Sequence, residues 1–356
     1  MKVLYFFPSE ESVYAARFIY EGYKNAFEDI GHEFRTCTSN DNLGSFLNAF
    51  EPDIFMYGLN AYYLKFIDLQ ILKQHRDKGL IVFCQIGAWN RSWSNTVDRM
   101  SGALKDRTEH VSLIKNGLAG DIFWHWFEQD EPLMDGFTEE TGYAFSTIHL
   151  AADKTKYYPE FDENMECDVC YVGSYLPMKR AFLDLHIAPL KKKLDVKVFG
   201  SDWTLSDRIL GYVQKVGQYF NINPLKKVRS LKLSLDDERR LYTSATICLN
   251  VHEEQVRVRN CEMNERTFKI IACGGFQISD NMRLIRRFFD EDELVIAEDT
   301  EDWFKKIEYF IQNPDARLPY IEAGKRKVLE HHTYHNRVTQ ICDLSDGFHK
   351  NKKQNI

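Results

Sequence analysis

Short apolar runs alternate with amphipathic stretches along this chain, and that alternation limits its fold more than any other feature. In the first part the runs are Val3 to Phe7, His32 to Thr36, Asp53 to Tyr57, Leu80 to Ile86, Asp121 to Trp126 and Ala144 to Leu150. Between them, Ser12 to Asp29, Tyr62 to Asp77 and Ser94 to Asn116 repeat their apolar residues with a helical period. Strand, helix and strand in repetition predict a parallel sheet. The run Leu80 to Ile86 is apolar at nearly every position, as a central strand covered on both faces must be.

From Lys154 to Cys167 the chain is polar and turn-rich, which reads as a linker. A second series follows, with strands expected at Asp168 to Val172, Val196 to Phe199, Thr246 to Asn250, Phe276 to Ile278 and Leu294 to Ala297. Helices fit Met178 to Lys193, Asp236 to Thr243, Arg266 to Cys273, Met282 to Phe289, Glu301 to Gln312 and Asp315 to His331. The expected fold class is therefore α/β, with two Rossmann-like, doubly wound domains in tandem. In such sheets ligands sit outside the carboxyl ends of the strands, so function is expected between the domains.

Composition agrees with a two-domain globular protein. The 356 residues exceed the usual reach of one core, and 44% are hydrophobic against 28% charged. A net charge of −7 argues against a broad nucleic-acid surface. The eight scattered cysteines read as buried free thiols in a reducing compartment. Cys167 and Cys170 form the one close pair, with no second pair at zinc spacing. The amino-terminal apolar run is too short for a signal peptide and no segment approaches a membrane span, so a soluble, cytoplasmic protein is expected. Neither half shows G-x-G-x-x-G after its first strand, which disfavours a dinucleotide-dependent oxidoreductase.

The most informative local motif is Asn264-Glu-Arg-Thr-Phe-Lys-Ile-Ile-Ala-Cys-Gly-Gly275. Asn264 fits a helix cap, and Gly274 can take the left-handed conformation that ends a helix. A helix placed there would turn the amides of Arg266, Thr267 and Phe268 toward the ligand, with the Arg266 guanidinium beside them, as a diphosphate site. A surface arginine on a first helical turn has the same pattern. Gly173 and Ser174 form a second strand-to-helix turn, opened by Pro177, with Lys179 and Arg180 on the helix. Asn250 and His252 lie where a buried strand runs out, placed for a ligand or for strand-end hydrogen bonds.

In order, Cys167-Asp-Val-Cys-Tyr-Val-Gly-Ser-Tyr175, Lys197-Val-Phe-Gly-Ser-Asp-Trp203, Tyr242-Thr-Ser-Ala-Thr-Ile-Cys-Leu-Asn-Val-His252, Asn264-Glu-Arg-Thr-Phe268 and Ala272-Cys-Gly-Gly275 resemble the glycosyltransferases related to the spore-maturation protein CgeB. Val328-Leu-Glu-His-His-Thr-Tyr-His-Asn-Arg337 looks like the end of the same domain. The first half matches more weakly, best at Thr141 to Asp153. This resemblance implies a GT-B architecture, in which the two domains face each other across a cleft. Residues 1–155 would form the acceptor side, residues 165–332 the nucleotide-sugar side, and the helix at 333–349 would cross back to the first domain.

It also implies transfer of a hexose from a UDP- or GDP-sugar to a hydroxyl on a glycan, protein or small acceptor. No cofactor or metal is expected beyond that co-substrate. Gly173, Ser174, Arg180, Asn250, His252, Asn264, Arg266, Thr267, Phe268 and Lys269 would bind the donor. Lys269 departs from the family, where a glutamate commonly accepts hydrogen bonds from the donor ribose, which a lysine cannot do. The two-glutamate signature of retaining members is absent as spaced, tilting the expectation toward inversion. That departure keeps a second possibility open, a catalytically silent sugar-nucleotide or glycan binder.

For a general base the first half offers His125 or Glu10, and for sugar stacking Trp89, Trp93 and Trp126, although such aromatics are more often core. The basic run Lys226 to Lys232 reads as a solvated loop, and the oligomeric state is left open.

Overall fold

The computed structural model describes residues 1–8, 13, 15–90, 107–260 and 262–354. It divides into two compact units. Unit 1 comprises residues 1–10, 23–149 and 337–356, and unit 2 comprises residues 11–22 and 150–336. The sequence division at 155 and 165 treated the first domain as continuous, whereas residues 11–22 group with unit 2. That grouping is long-range and leaves no local mark: Gly22 must lack a side chain because a Cβ would collide with the ring of Tyr334.

Unit 1 carries a six-stranded sheet of β1 (Lys2–Phe6), β2 (Glu33–Cys37), β3 (Ile54–Gly58), β4 (Ile81–Gln85), β5 (Ile122–His125) and β6 (Phe145–Thr147). All neighbours are parallel and the order is β2-β1-β3-β4-β5-β6. Strands β3 to β5 are buried almost throughout, as their unbroken apolar sequences require. From Arg337 onward the last helix (Tyr334–Gln354) belongs to this unit, with Arg337 Nε donating to the His149 carbonyl (3.0 Å) and Gln340 Nε2 to that of Thr147 (2.7 Å).

Unit 2 carries β7 (Cys167–Val172), β8 (Val196–Phe199), β9 (Ala245–Asn250), β10 (Gln277–Asp280) and β11 (Val295–Ala297) in the parallel order β11-β10-β9-β7-β8. Helices Pro177–His186 and Thr300–Gln312 pack on one core, built on Tyr171, Ile247, Leu249 and Trp303. Helices Leu235–Ser244 and Arg266–Ala272 pack on the other, built on Leu241, Tyr242, Phe268 and Ile271. Each unit is thus a doubly wound, Rossmann-like α/β sheet.

Three stretches depart from the sequence expectation. The helix expected from Met178 to Lys193 stops at His186, three residues before Pro189, and resumes only as a 3-10 turn at Leu190–Lys192. Met282 to Phe289 holds a 3-10 helix (Arg283–Arg287) rather than an α-helix. Helix Leu205–Tyr219 was not anticipated, because its apolar residues do not face the core. After it, the basic run is not a solvated loop: Lys226 and Arg229 are buried, and Arg229 binds Asp202 (3.0 Å) and Asp207 (2.8 Å). Among the described residues no helix is long and apolar enough to cross a membrane.

Candidate functional site

In unit 2 the chain starts at β7, places β8 on one side and β9 on the other, so the winding reverses between β7 and β9. The carboxyl edge at that reversal leaves a crevice between diverging loops. Gly173-Ser174 follows β7, Val251-His252 follows β9, and Asp280 ends β10. Arg266 opens the second of the two described helices between β9 and β10.

Gly173 is required by crowding. A Cβ there would lie 2.6 Å from Tyr171 Oη and 2.7 Å from the Arg266 guanidinium. The loop is fixed from behind: Gly173 N donates to Phe199 O (2.8 Å), Tyr175 N to Ser201 O (2.8 Å), and Trp203 Nε1 to the Gly173 carbonyl (2.8 Å). Gly200, at φ 137°, lets the two loops touch, since a side chain there would run into the Gly173 carbonyl.

Two cations meet at this edge. Arg266 lies over the Tyr171 ring (5.1 Å) and donates to Asn250 Oδ1 (3.2 Å) and the Val251 carbonyl (3.3 Å). Asn250, fully buried, also accepts from Asn264 Nδ2 (2.9 Å) and donates to Thr267 Oγ1 (2.8 Å), so it ties the helix start to the strand end. Lys179 is buried, and its ammonium is pulled down to about 8, first by desolvation and then by the charge of Arg266. Among the described residues neither Lys179 nor Arg266 has a carboxylate within ion-pair distance. Glu253, Asp280 and Glu262 act on Lys179, and Glu238 and Asp280 on Arg266, only from longer range, so an anion can still join the two cations.

The helix amides are mostly committed elsewhere, which corrects the expectation built on them. Thr267 N donates to Asn264 Oδ1 (3.1 Å), and Phe268 N to the Glu265 carbonyl (3.1 Å). Asn264 does cap the helix, and in doing so it uses the Thr267 amide that was expected to meet a phosphate. The Thr267 and Phe268 side chains are themselves buried. Cationic side chains, rather than a row of amides, place positive charge at this edge. Arg180, expected beside the donor, instead donates to the Tyr175 carbonyl (3.3 Å) and lies 5.1 Å over the Tyr175 ring, whereas its neighbour Lys179 points into the buried charge cluster.

His252 Nδ1 is 2.6 Å from Asp280 Oδ1, and the His252 amide donates to Asp280 Oδ2 (2.9 Å). A carboxylate only accepts, so Nδ1 carries the proton and the buried Nε2 is left without a partner among the described residues. Burial works to raise the Asp280 carboxyl, but His252 and the Arg257 guanidinium outweigh it and hold the group below the usual range.

Lys269 sits in a different environment. Its ammonium lies 3.6 Å from Glu238, 3.5 Å from Glu265, 3.8 Å from the centre of the Phe18 ring and 4.7 Å from that of Tyr157. Tyr157 (2.9 Å) and Tyr242 (2.8 Å) donate to Glu238, and Tyr334 (3.1 Å) to Glu265. Desolvation raises Glu265 to about 7, with Lys269 pulling the other way. The charge of Lys269 is thus spent on two buried carboxylates, not held out for a phosphate.

In unit 1 the expected site residues are mostly structural. His125 is buried, its Nδ1 accepts from the Phe127 amide (3.1 Å), and burial pulls it down to about 3, a poor proton acceptor at neutral pH. Trp89 is buried edge-on to Phe137 (5.0 Å) and belongs to the core. Trp126 is half-buried beside His125 (4.4 Å). Glu10 and Trp93 lie outside the described residues. Asp280 and Tyr171 were missed because an acid at a strand end and a tyrosine inside a strand carry no periodic signal.

Residues 180–343 match a family model described as “Glycosyl transferase-like”. No curated protein sequence matches the chain significantly. Sucrose-phosphate synthase (tll1590) from Thermosynechococcus elongatus aligns over 98% of this chain and 99% of its own, at 10% identity and a TM-score of 0.64. An alpha-glucosyltransferase solved with UDP and a 13-mer DNA containing a HMU base aligns over 97% of this chain and 99% of its own (11%, TM-score 0.63). Anabaena Alr3699/HepE, solved with UDP and glucose, aligns over 98% and 100% (12%, TM-score 0.57). At such identities the likeness establishes the fold, two Rossmann-like α/β units in one chain.

Proposed function

We propose that this chain is a glycosyltransferase of the CgeB-related, GT-B kind, which transfers a hexose from a UDP- or GDP-sugar to a hydroxyl acceptor. One observation carries the reading: buried Lys179 and half-buried Arg266 converge at the switch point of unit 2, with no carboxylate within ion-pair distance of either among the described residues. A nucleoside diphosphate supplies the missing negative charge. The match of residues 180–343 to a glycosyl transferase-like family and the UDP held by two of the similar structures support the same ligand class.

As the acceptor oxygen bonds to the anomeric carbon and gives up its proton to water, the carbon–oxygen bond to the diphosphate breaks, its electron pair passes to the diphosphate oxygen, and the developing charge falls to Lys179 and Arg266. Gly173 lets Tyr171 and Arg266 close on the backbone of the loop, and Asn250 holds Arg266 in place. His252, locked by Asp280, presents Nε2 to the same edge as a hydrogen-bond acceptor for a sugar hydroxyl. Positive charge comes from side chains in this reading, and no metal is assigned. Calorimetric titration with UDP and GDP tests it: binding to the wild type that is lost in Arg266→Ala supports it, and no binding by either nucleotide ends it.

A second reading, a binding protein without turnover, is favoured by Lys269 and His125. Lys269 replaces the ribose-binding glutamate of the family and is neutralised by Glu238 and Glu265, and His125 is too weakly basic to deprotonate an acceptor. Incubation with UDP-hexoses and GDP-hexoses separates the two, because an enzyme releases free nucleoside diphosphate slowly even without acceptor.

A further inference from the structure

Helix Leu205–Tyr219 is amphipathic in the wrong sense for a core helix. It buries Asp207, Gly211, Gln214 and Gly217, and exposes Leu205 (68%), Ile209, Tyr212 (72%), Val216, Tyr219 and the following Phe220 (65%). The buried side is a built joint. A Cβ at Gly211 would reach within 2.7 Å of the Arg229 guanidinium, one at Gly217 within 2.6 Å of Leu225 Cβ, and Gln214 donates to the Lys226 carbonyl (2.8 Å). The helix is therefore firmly seated with its apolar stripe facing water, a spacing of four, three, four and three residues that forms one continuous line.

The charge beside this stripe is one-sided. From Leu205 to Leu233 the chain has six Lys or Arg and one acid, Asp207, in a protein of net charge −7. Asp207 is buried and bound by Arg229 (2.8 Å) and Lys232 (3.2 Å), so no exposed acid remains in the segment. Lys215, beside the Tyr212 ring, and Lys227 are exposed in the same segment without an acid of that segment to pair them. A second copy of the helix would offer no carboxylate to these cations and would oppose like charges across the contact. An anionic lipid surface satisfies both features, with headgroups for the lysines and the acyl boundary for the tyrosines, leucine, isoleucine and phenylalanine.

We infer that this helix is an interfacial anchor, which lays unit 2 on a membrane rich in anionic lipid. The full chain, incubated with vesicles of phosphatidylcholine alone or of equal parts phosphatidylcholine and phosphatidylglycerol, is expected to sediment with the anionic vesicles at least about tenfold more than with the neutral ones. The variant Ile209→Ser/Tyr212→Ser/Phe220→Ser should lose at least about tenfold of that binding while keeping its far-ultraviolet dichroism, since these side chains are exposed. If that variant misfolds, Lys215→Glu/Lys227→Glu gives the same reading through charge. Equal sedimentation with both vesicles, or binding that survives both variants, overturns the inference. So does a wild-type dimer by light scattering that the serine variant dissolves without any vesicle binding, which would make a second copy the occupant.

Discussion

Arg266 and Lys269 stand three residues apart on one short helix, the first half-buried and the second buried, and their surroundings are opposite. Arg266 touches a tyrosine ring, an asparagine oxygen and a backbone carbonyl. Lys269 is held between two carboxylates that are themselves hydrogen-bonded by three tyrosines. A buried charge that the protein compensates is part of the fold, and removing it strands its partners. One with no carboxylate at ion-pair distance keeps its donors open to an anion that binds there.

The largest expected effect breaks the comparison from the Lys269 side. Lys269→Ala leaves Glu238 and Glu265 buried without their cation, and should lower the unfolding free energy in urea by about 3–5 kcal/mol. Arg266→Ala removes no partner's counter-ion, so its urea midpoint should stay close to wild type. The second prediction is its loss of UDP or GDP affinity, roughly 100-fold or about 3 kcal/mol by calorimetry. If Arg266→Ala unfolds as readily as Lys269→Ala, the two sites are alike and the diphosphate reading loses its physical basis.

Strand positions were legible because parallel strands buried on both faces leave unbroken apolar runs, as in Ile54–Gly58 and Ile81–Gln85. The motif around Arg266 was legible because glycines and a capping asparagine mark a helix that must start and stop within a few residues. What each charge meets was not. That Lys179 rather than Arg180 turns inward depends on where its helix lies against β7, and the Glu238–Glu265–Lys269 cluster joins residues up to 31 positions apart through packing alone. Helix Leu205–Tyr219 was missed for a related reason: the core pattern was sought, and this helix buries glycines and polar groups instead.

A third test sharpens the compensated side. With Glu265 raised from 4.5 to about 7, the folded state binds a proton between those values that the unfolded chain has released. Its contribution to stability is therefore complete below about pH 4.5 and lost as pH rises through 7. Stability should fall over that window by a few kcal/mol at most, and Glu265→Gln, which cannot ionise, should flatten the profile in pH-dependent urea unfolding. A profile unchanged by the substitution would assign the slope to other groups.

The smallest effect belongs to Lys179, whose ammonium titrates near 8 in the free protein. Between pH 7 and pH 9 it goes from mostly charged to mostly neutral, while Arg266 stays protonated and a nucleoside diphosphate has already completed its own ionisation. Affinity for UDP or GDP should therefore fall roughly tenfold across that range. Lys179→Arg, charged throughout, should bind with an affinity nearly independent of pH, and Lys179→Ala should bind weakly at both ends. Because bound diphosphate favours the charged ammonium, saturating nucleotide should also shift the midpoint of the wild-type profile upward. A wild-type affinity that does not change with pH would mean that Lys179 is buried for packing and that Arg266 alone meets the anion.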